Sequence, residues 1–286
     1  MGTVLDLSAG PVEVEDTGGA GPVVVLLHGV MMDHRQWSIV VEELRTTYRC
    51  VLPTLPLGAH RHPMQPGADL SLRGQARLVS EVLERLDLRD VTLCSNDWAA
   101  PQLMVADGLT DRVGAMVLVS CETAGNYPPG LPGRTLALLG RTPGGLTIAL
   151  HALRMRWAQR LPTTFGRMAK YGVPDDLVEA WISPARSSRS VRRDLGRYVR
   201  STRQGKRDLV DATAMLSQFI RPVLVAWGAD DRVMPREEGR RLAAAFPQGR
   251  FTTVPDAGTL VPLDQPAALA TLFDEHAQFA AAGLGD

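Results

Sequence analysis

Apolar residues recur along the chain in two alternating rhythms, one of strands and one of helices. Thr3–Asp16 alternates apolar with polar positions around Gly10-Pro11, the pattern of an opening hairpin. Pro22–Leu27 is a continuous apolar run, as expected of a parallel strand covered on both faces. Shorter β-favouring runs follow at Cys50–Leu55, from Val91, at Val113–Ser120, at Pro222–Trp227 and at Arg250–Val254. Helical periodicity separates them at Trp37–Tyr48, Leu70–Leu86, Leu103–Leu109 and Arg236–Phe246, and closes the chain at Pro266–Phe279. This alternation predicts an α/β fold built on a mostly parallel, doubly wound sheet.

From Asn126 to about Ser217 the strand pattern disappears. Helical segments alternate there with Pro and Gly breaks, most clearly at Leu146–Leu161, Pro174–Ile182, Ser190–Arg203 and Asp208–Phe219. The expected organisation is a core of residues 1–125 and 218–286 carrying a helical lid, residues 126–217, inserted after the sixth strand. No internal repeat or low-complexity linker interrupts it. Ligands of doubly wound sheets bind beyond the carboxyl ends of the strands. Gly29, His60, Asp97, Glu122, Asp231 and Thr259 all fall at or just after those ends.

The run from Val91 stops at Ser95-Asn96-Asp97-Trp98-Ala99 and a helical pattern begins at once. This is the layout of a nucleophile elbow, a strained turn flanked by small residues, with Asp97 at its apex. A carboxylate there faces backbone N–H groups and the favourable end of a helix dipole. The plainer alternative is an Asp capping an ordinary helix.

The order strand-His28-Gly29, elbow, helical insert, strand-Gly228-Ala229-Asp230-Asp231, strand-Asp256-Ala257-Gly258 closely resembles the α/β-hydrolase fold over essentially the whole chain. An Asp apex followed by Trp is similar to the haloalkane dehalogenase branch, with epoxide hydrolases as near relatives. The resemblance implies a nucleophilic Asp that forms an alkyl-enzyme ester, hydrolysed by water that an acid-held His activates. Asp97 matches the nucleophile, Asp231 the acid, and Glu122 the alternative acid position of some dehalogenases. The N–H groups of Val30 and Trp98 match the oxyanion donors, with Met31 beside them, and Trp98 Nε1 matches a halide donor. His28 is grouped with these oxyanion and substrate-binding residues, the plainer alternative being that it only orients its turn. A lid Tyr assists epoxide opening in the relatives, and Tyr127, Tyr171 and Tyr198 are candidates. Trp157 and Trp181 belong to an apolar lid set that suits a greasy pocket.

One position departs from this pattern. The family's His belongs in the run Asp256-Ala257-Gly258-Thr259-Leu260-Val261-Pro262, and this chain has Thr259 there. A Thr hydroxyl has no accessible pKa near neutrality and cannot serve as a general base. Among the other histidines, His60 is the best substitute by position. Without the imidazole, Asp97 and Asp231 can face each other. Burial and like charge then favour a retained proton on one of them, while the helix N-terminus and the oxyanion donors favour the ionised form of Asp97. The readings open at this level are a non-hydrolytic isomerase, cyclase or eliminating enzyme using Asp97 as acid–base, a hydrolase with a substitute base, and a non-catalytic ligand-binding protein. A Thr259 introduced to trap an ester remains a further one.

Composition adds exclusions. Lys plus Arg and Asp plus Glu number 31 each, so no net charge favours nucleic acid or an anionic membrane. The arginines of Arg186–Arg207 have the spacing of a solvated helix face. Cys50, Cys94 and Cys121 are widely spaced, without metal-ligand spacing, and read as reduced core thiols. There is no signal-peptide pattern and no apolar run of membrane-spanning length. The expectation is a cytoplasmic monomer or homodimer acting on a small-molecule substrate, with no cofactor and no metal.

Overall fold

The computed structural model describes residues 2–282. Eight strands form one sheet in the order β1-β2-β4-β3-β5-β6-β7-β8. They are β1 (Gly2–Leu7), β2 (Gly10–Asp16), β3 (Val23–Leu27), β4 (Arg49–Thr54), β5 (Val91–Asn96), β6 (Val113–Val119), β7 (Val223–Gly228) and β8 (Gly249–Val254). The opening hairpin joins antiparallel through β2 and β4, and every pair from β4 to β8 is parallel.

The continuous apolar strands are explained by cover on both sides. In β3, Val25 and Leu27 belong to one core cluster and Val24 and Leu26 to the other. Successive side chains point to opposite faces, so both sets must be apolar when helices cover both. Helices α1 (Ser38–Leu44) and α12 (Pro266–Ala282) pack together on one face. Helices α2 (Leu72–Arg85), α3 (Ala100–Ala106) and α10 (Arg236–Ala244) cover the other. The short α11 (Val261–Asp264) precedes α12. The fold is that of an α/β hydrolase.

Six helices lie between β6 and β7: α4 (Gly130–Leu139), α5 (Gly145–Ala152), α6 (Arg156–Gln159), α7 (Asp175–Ser187), α8 (Arg189–Arg200) and α9 (Thr202–Thr213). The single helix expected over Leu146–Leu161 is two, because Met155 takes an extended conformation between them. Helix α4 was not among the clear segments, since Gly130, Pro132 and Gly133 interrupt its periodicity.

This insert is tied to the core on several sides. The buried Asp194 of α8 accepts from Met64 N–H (2.8 Å). Trp181 of α7 donates to Asp33 (3.1 Å). Leu260 N–H donates to Met168 O (2.8 Å), and Lys170 pairs with Asp230 and Asp256. No helix among the described residues is long and apolar enough to cross a membrane. The three cysteines are free and buried, as their spacing indicates.

Candidate active site

Asp97 sits at φ 63° between β5 and α3, a left-handed turn that a non-glycine residue adopts only when its surroundings hold it there. Several bonds do so. Asp97 N–H donates to Ser120 O (3.1 Å), and Ser95 Oγ donates to Trp98 O across the bend (2.7 Å). A Cβ at Gly29 would lie 2.5 Å from Asp97 Oδ2, so only glycine lets the carboxyl lie against the β3 loop.

A buried amide network joins three loops behind the carboxyl. Asn96 Nδ2 donates to Val119 O and to Thr259 O, both at 2.8 Å. Its Oδ1 accepts from Gln36, whose own Oε1 accepts from Gly29 N–H (3.1 Å). Gln102 donates to Glu122 O (2.6 Å) and fixes the end of β6 in the same way. Sequence reasoning missed Asn96, Gln36 and Gln102. The available signal was a polar side chain beside a strand end with no surface role.

Asp231 is oriented by three donors on one oxygen. Its Oδ1 accepts from Val233 N–H (2.8 Å), Met234 N–H (2.9 Å) and Thr259 Oγ1 (2.7 Å), leaving Oδ2 buried and unpartnered. A Cβ on Gly228 would meet Gly258 O at 2.0 Å, a close approach that brings the Thr259 loop onto β7. Asp230 instead points outward to Lys170 (2.7 Å).

Above Asp97 lies a cavity of about 250 Å³ beneath the lid, lined mainly by apolar side chains. Asp97, Glu122, Val30, Met31, Tyr127 and Trp157 all border it, as does Tyr198. No Lys, Arg or His does. Asp97 Oδ1 and Glu122 Oε2 are buried and lack a hydrogen-bond partner among the described residues. The N–H groups of Val30 and Trp98 likewise have none there. Asp97, Glu122 and Val30 therefore bring two free carboxyl oxygens and a free N–H to the wall of one apolar chamber, whose lining does not include Trp98.

Burial pushes the Asp97 carboxyl well above the usual carboxylate range, and the Asp231 charge pushes it the same way. Burial raises Glu122 too, helped by Asp97. Asp231 is raised by burial against the opposing pull of its donors. Burial also drives Tyr198 upward, so its phenol keeps its proton.

Four expected site residues are placed elsewhere. His28 is enclosed by its own turn: Nδ1 donates to Gly29 O (2.8 Å) and Nε2 accepts from Leu55 N–H (2.9 Å). Burial pushes its pKa down to about 4, which keeps the ring neutral. His60 does not border the cavity: Gly58 N–H donates to its Nδ1 and its Nε2 lies 3.7 Å from the lid's Asp194. The Trp98 indole is fully buried and donates to Tyr198 Oη (3.2 Å), which leaves no N–H for a halide. Trp181 turns to Asp33 and Phe165 rather than to the cavity. Of the remaining histidines, His34 faces Thr54, His62 faces Glu13, and His151 bonds within its own exposed helix. His276 is buried in α12. Tyr171 is exposed and does not line the chamber.

The model of the alpha/beta hydrolase family matches residues 24–272. The chain belongs to the α/β-hydrolase family. Among curated relatives, it is 29% identical over 253 residues to a 2-hydroxy-6-oxononadienedioate/2-hydroxy-6-oxononatrienedioate hydrolase of Cupriavidus pinatubonensis, covering 84% of this chain and 81% of that one. It is 25% identical over 289 residues to haloalkane dehalogenase 2 of Mycobacterium tuberculosis, covering 95% and 93%. Among solved structures, an α/β hydrolase fold protein from Burkholderia ambifaria superposes with a TM-score of 0.77 at 24% identity, over 95% of this chain and 96% of that one. This α/β hydrolase is thus an enzyme of the hydrolase type with an Asp at its elbow.

Proposed function

We propose that this α/β hydrolase carries out a non-hydrolytic isomerisation, cyclisation or elimination on a small, uncharged, largely apolar molecule, with Asp97 as a protonated acid–base residue. The observation that carries this reading is the free Asp97 carboxyl facing an apolar chamber that no histidine borders.

A nucleophilic role needs Asp97 ionised, and release of the resulting ester needs a base to activate water. Thr259 stands at the base position, and its hydroxyl is spent on Asp231. A carboxylic acid suits the other chemistry. Its O–H donates a proton while its carbonyl oxygen accepts one, so it leaves each turnover as it entered. In an epoxide opening, the Asp97 proton passes to the epoxide oxygen as that C–O bond breaks. A hydroxyl of the same substrate forms the new C–O bond, and its proton returns to the other Asp97 oxygen. The product is an isomer of the substrate. Glu122 supplies a second neutral carboxyl on the same wall, and the N–H groups of Val30 and Trp98 polarise a substrate oxygen. Tyr127, which borders the chamber and whose hydroxyl is buried, is the phenol assigned to hold that oxygen in this reading.

The lining also argues about charge. An anionic substrate, such as the dioate in the Cupriavidus relative's name, would meet two carboxyls and no cation in this chamber. Desolvating that charge unpaired is prohibitive, so uncharged substrates are favoured.

The test is turnover of a panel of epoxides, hydroxy-epoxides and alkyl halides in water labelled with oxygen-18, read by mass spectrometry. The expected product carries no label and has its substrate's mass, or, after an elimination, that mass less the HX or water lost. Labelled alcohol or diol instead supports the hydrolytic reading, which the two free N–H donors and the hydrolase relatives favour.

A further inference from the structure

The balanced net charge conceals a lopsided lid. Between Glu122 and Asp175 the chain runs without a single Asp or Glu, yet holds six arginines and Lys170. All seven cations are exposed. Arg156 pairs with Asp175 and Lys170 with Asp230 and Asp256. Among the described residues, Arg134, Arg154, Arg160 and Arg167 have no carboxylate within ion-pair distance.

The same stretch exposes large apolar side chains. Ile148 is 71% exposed, Leu138 66% and Trp157 61%, with Leu131, Met155 and Leu161 beside them in sequence. They project from α4, α5, α6 and their flanks, whose inner faces roof the chamber. Trp157 and Leu161 do both, since each is exposed and also borders the cavity. The apolar outer face is therefore continuous with the rim of the chamber.

Exposing this much apolar surface in one region is costly unless something covers it. A second copy of the chain is a poor cover, because a symmetric contact through this face would set its unpaired arginines against themselves. An acidic helical protein would match the cations but offers one narrow element to apolar groups spread over three helices. A bilayer with anionic headgroups meets both, taking up Leu, Ile and Trp side chains while its phosphates pair with arginine.

We propose that the outer face of the lid docks on an anionic lipid surface, with Trp157 at the rim between bilayer and chamber. An apolar substrate dissolved in lipid then reaches the cavity without crossing water. This rests on the lid surface and holds whichever reaction Asp97 performs.

Trp157 makes the test direct. The other four tryptophans, Trp37, Trp98, Trp181 and Trp227, are fully buried, so acrylamide quenching of the whole chain reports on Trp157. The full-length protein is mixed with vesicles of phosphatidylcholine alone, or of phosphatidylcholine with phosphatidylglycerol, and followed by flotation and emission. Expected are flotation with the phosphatidylglycerol vesicles, a blue shift and loss of quenching, all weakened by salt. Arg154→Glu with Arg160→Glu weakens partitioning by about tenfold or more, at roughly 1 kcal/mol per basic residue near the surface. Ile148→Ser with Leu138→Ser weakens it as well. Both pairs are exposed, so the circular dichroism of the free protein stays unchanged. Failure to float with phosphatidylglycerol vesicles overturns the proposal. So does Trp157 shielding that appears on raising protein concentration alone, the mark of a second copy, or on adding an acidic carrier protein without any vesicle binding.

Discussion

Asp97→Asn lowers turnover of a mass-neutral substrate by about 10²–10⁴-fold, the usual worth of a positioned general acid–base group. The same change stabilises the fold at any pH above the pKa of an unfolded aspartate. Burial and the neighbouring Asp231 raise the Asp97 pKa in the folded protein. A group raised in this way binds its proton more tightly folded than unfolded. Its stabilising contribution is complete below the unfolded pKa and is lost as pH rises through the folded one. Asparagine is neutral throughout and suffers no such loss. The melting temperatures of the two proteins therefore coincide below the pKa of an unfolded aspartate and separate as pH rises from there through the folded pKa, the variant being higher. The gap grows by about 2–4 °C for each kcal/mol of relieved burial. Activity of the parent enzyme follows the same direction, falling as pH rises, because the protonated carboxyl is the working form. Thermal melts and pH–rate profiles of the two proteins check both halves. A variant that melts lower at every pH would show Asp97 to be held as an ion.

Thr259→His produces the second large effect, a change of reaction rather than of rate. An imidazole at this position inherits the hydrogen bond that Thr259 Oγ1 now makes to Asp231 Oδ1 at 2.7 Å. Asp231 then stabilises a protonated ring, and that ring draws the proton from Asp97. An ionised Asp97 is a nucleophile, and once the ring has passed that proton on, to the opened epoxide oxygen or to solvent, it is the neutral base for ester hydrolysis. The expected variant loses mass-neutral turnover by about 10²-fold or more and gains release of labelled alcohol from alkyl halides or labelled diol from epoxides. Adding Asp97→Asn to the variant removes the gain. Because position 259 is fully buried, circular dichroism must first show the larger ring to be accommodated. A folded variant with unchanged products would show that residue 259 does not stand at the base position.

The parts of this site that local sequence reveals are those that local geometry dictates. The elbow needs an apolar strand, a small-flanked bend and a helix in immediate succession, and Val91–Ala106 carries all three within one short stretch. That the Asp256–Pro266 run holds Thr259 and no histidine is read directly from the sequence, because the run keeps its register. What escaped was contact between distant segments. His60 looks available on its loop until Asp194, 134 positions later, meets it. The Trp98 indole suits a halide until Tyr198, a hundred residues on, takes its N–H. The Asn96–Gln36 pair spans 60 positions and has no periodic signature. Charge followed the same rule, since a total of zero says nothing about a lid segment bare of acids.

The central claim is that Asp97 keeps its proton at neutral pH, and it can be measured without knowing the substrate. Aspartate labelled with carbon-13 at the side-chain carboxyl, compared between the parent protein and Asp97→Asn, identifies the Asp97 resonance. Its chemical shift should remain that of a carboxylic acid from mild acid through neutrality. A resonance that titrates in the ordinary aspartate range would contradict the account and return Asp97 to the role of nucleophile.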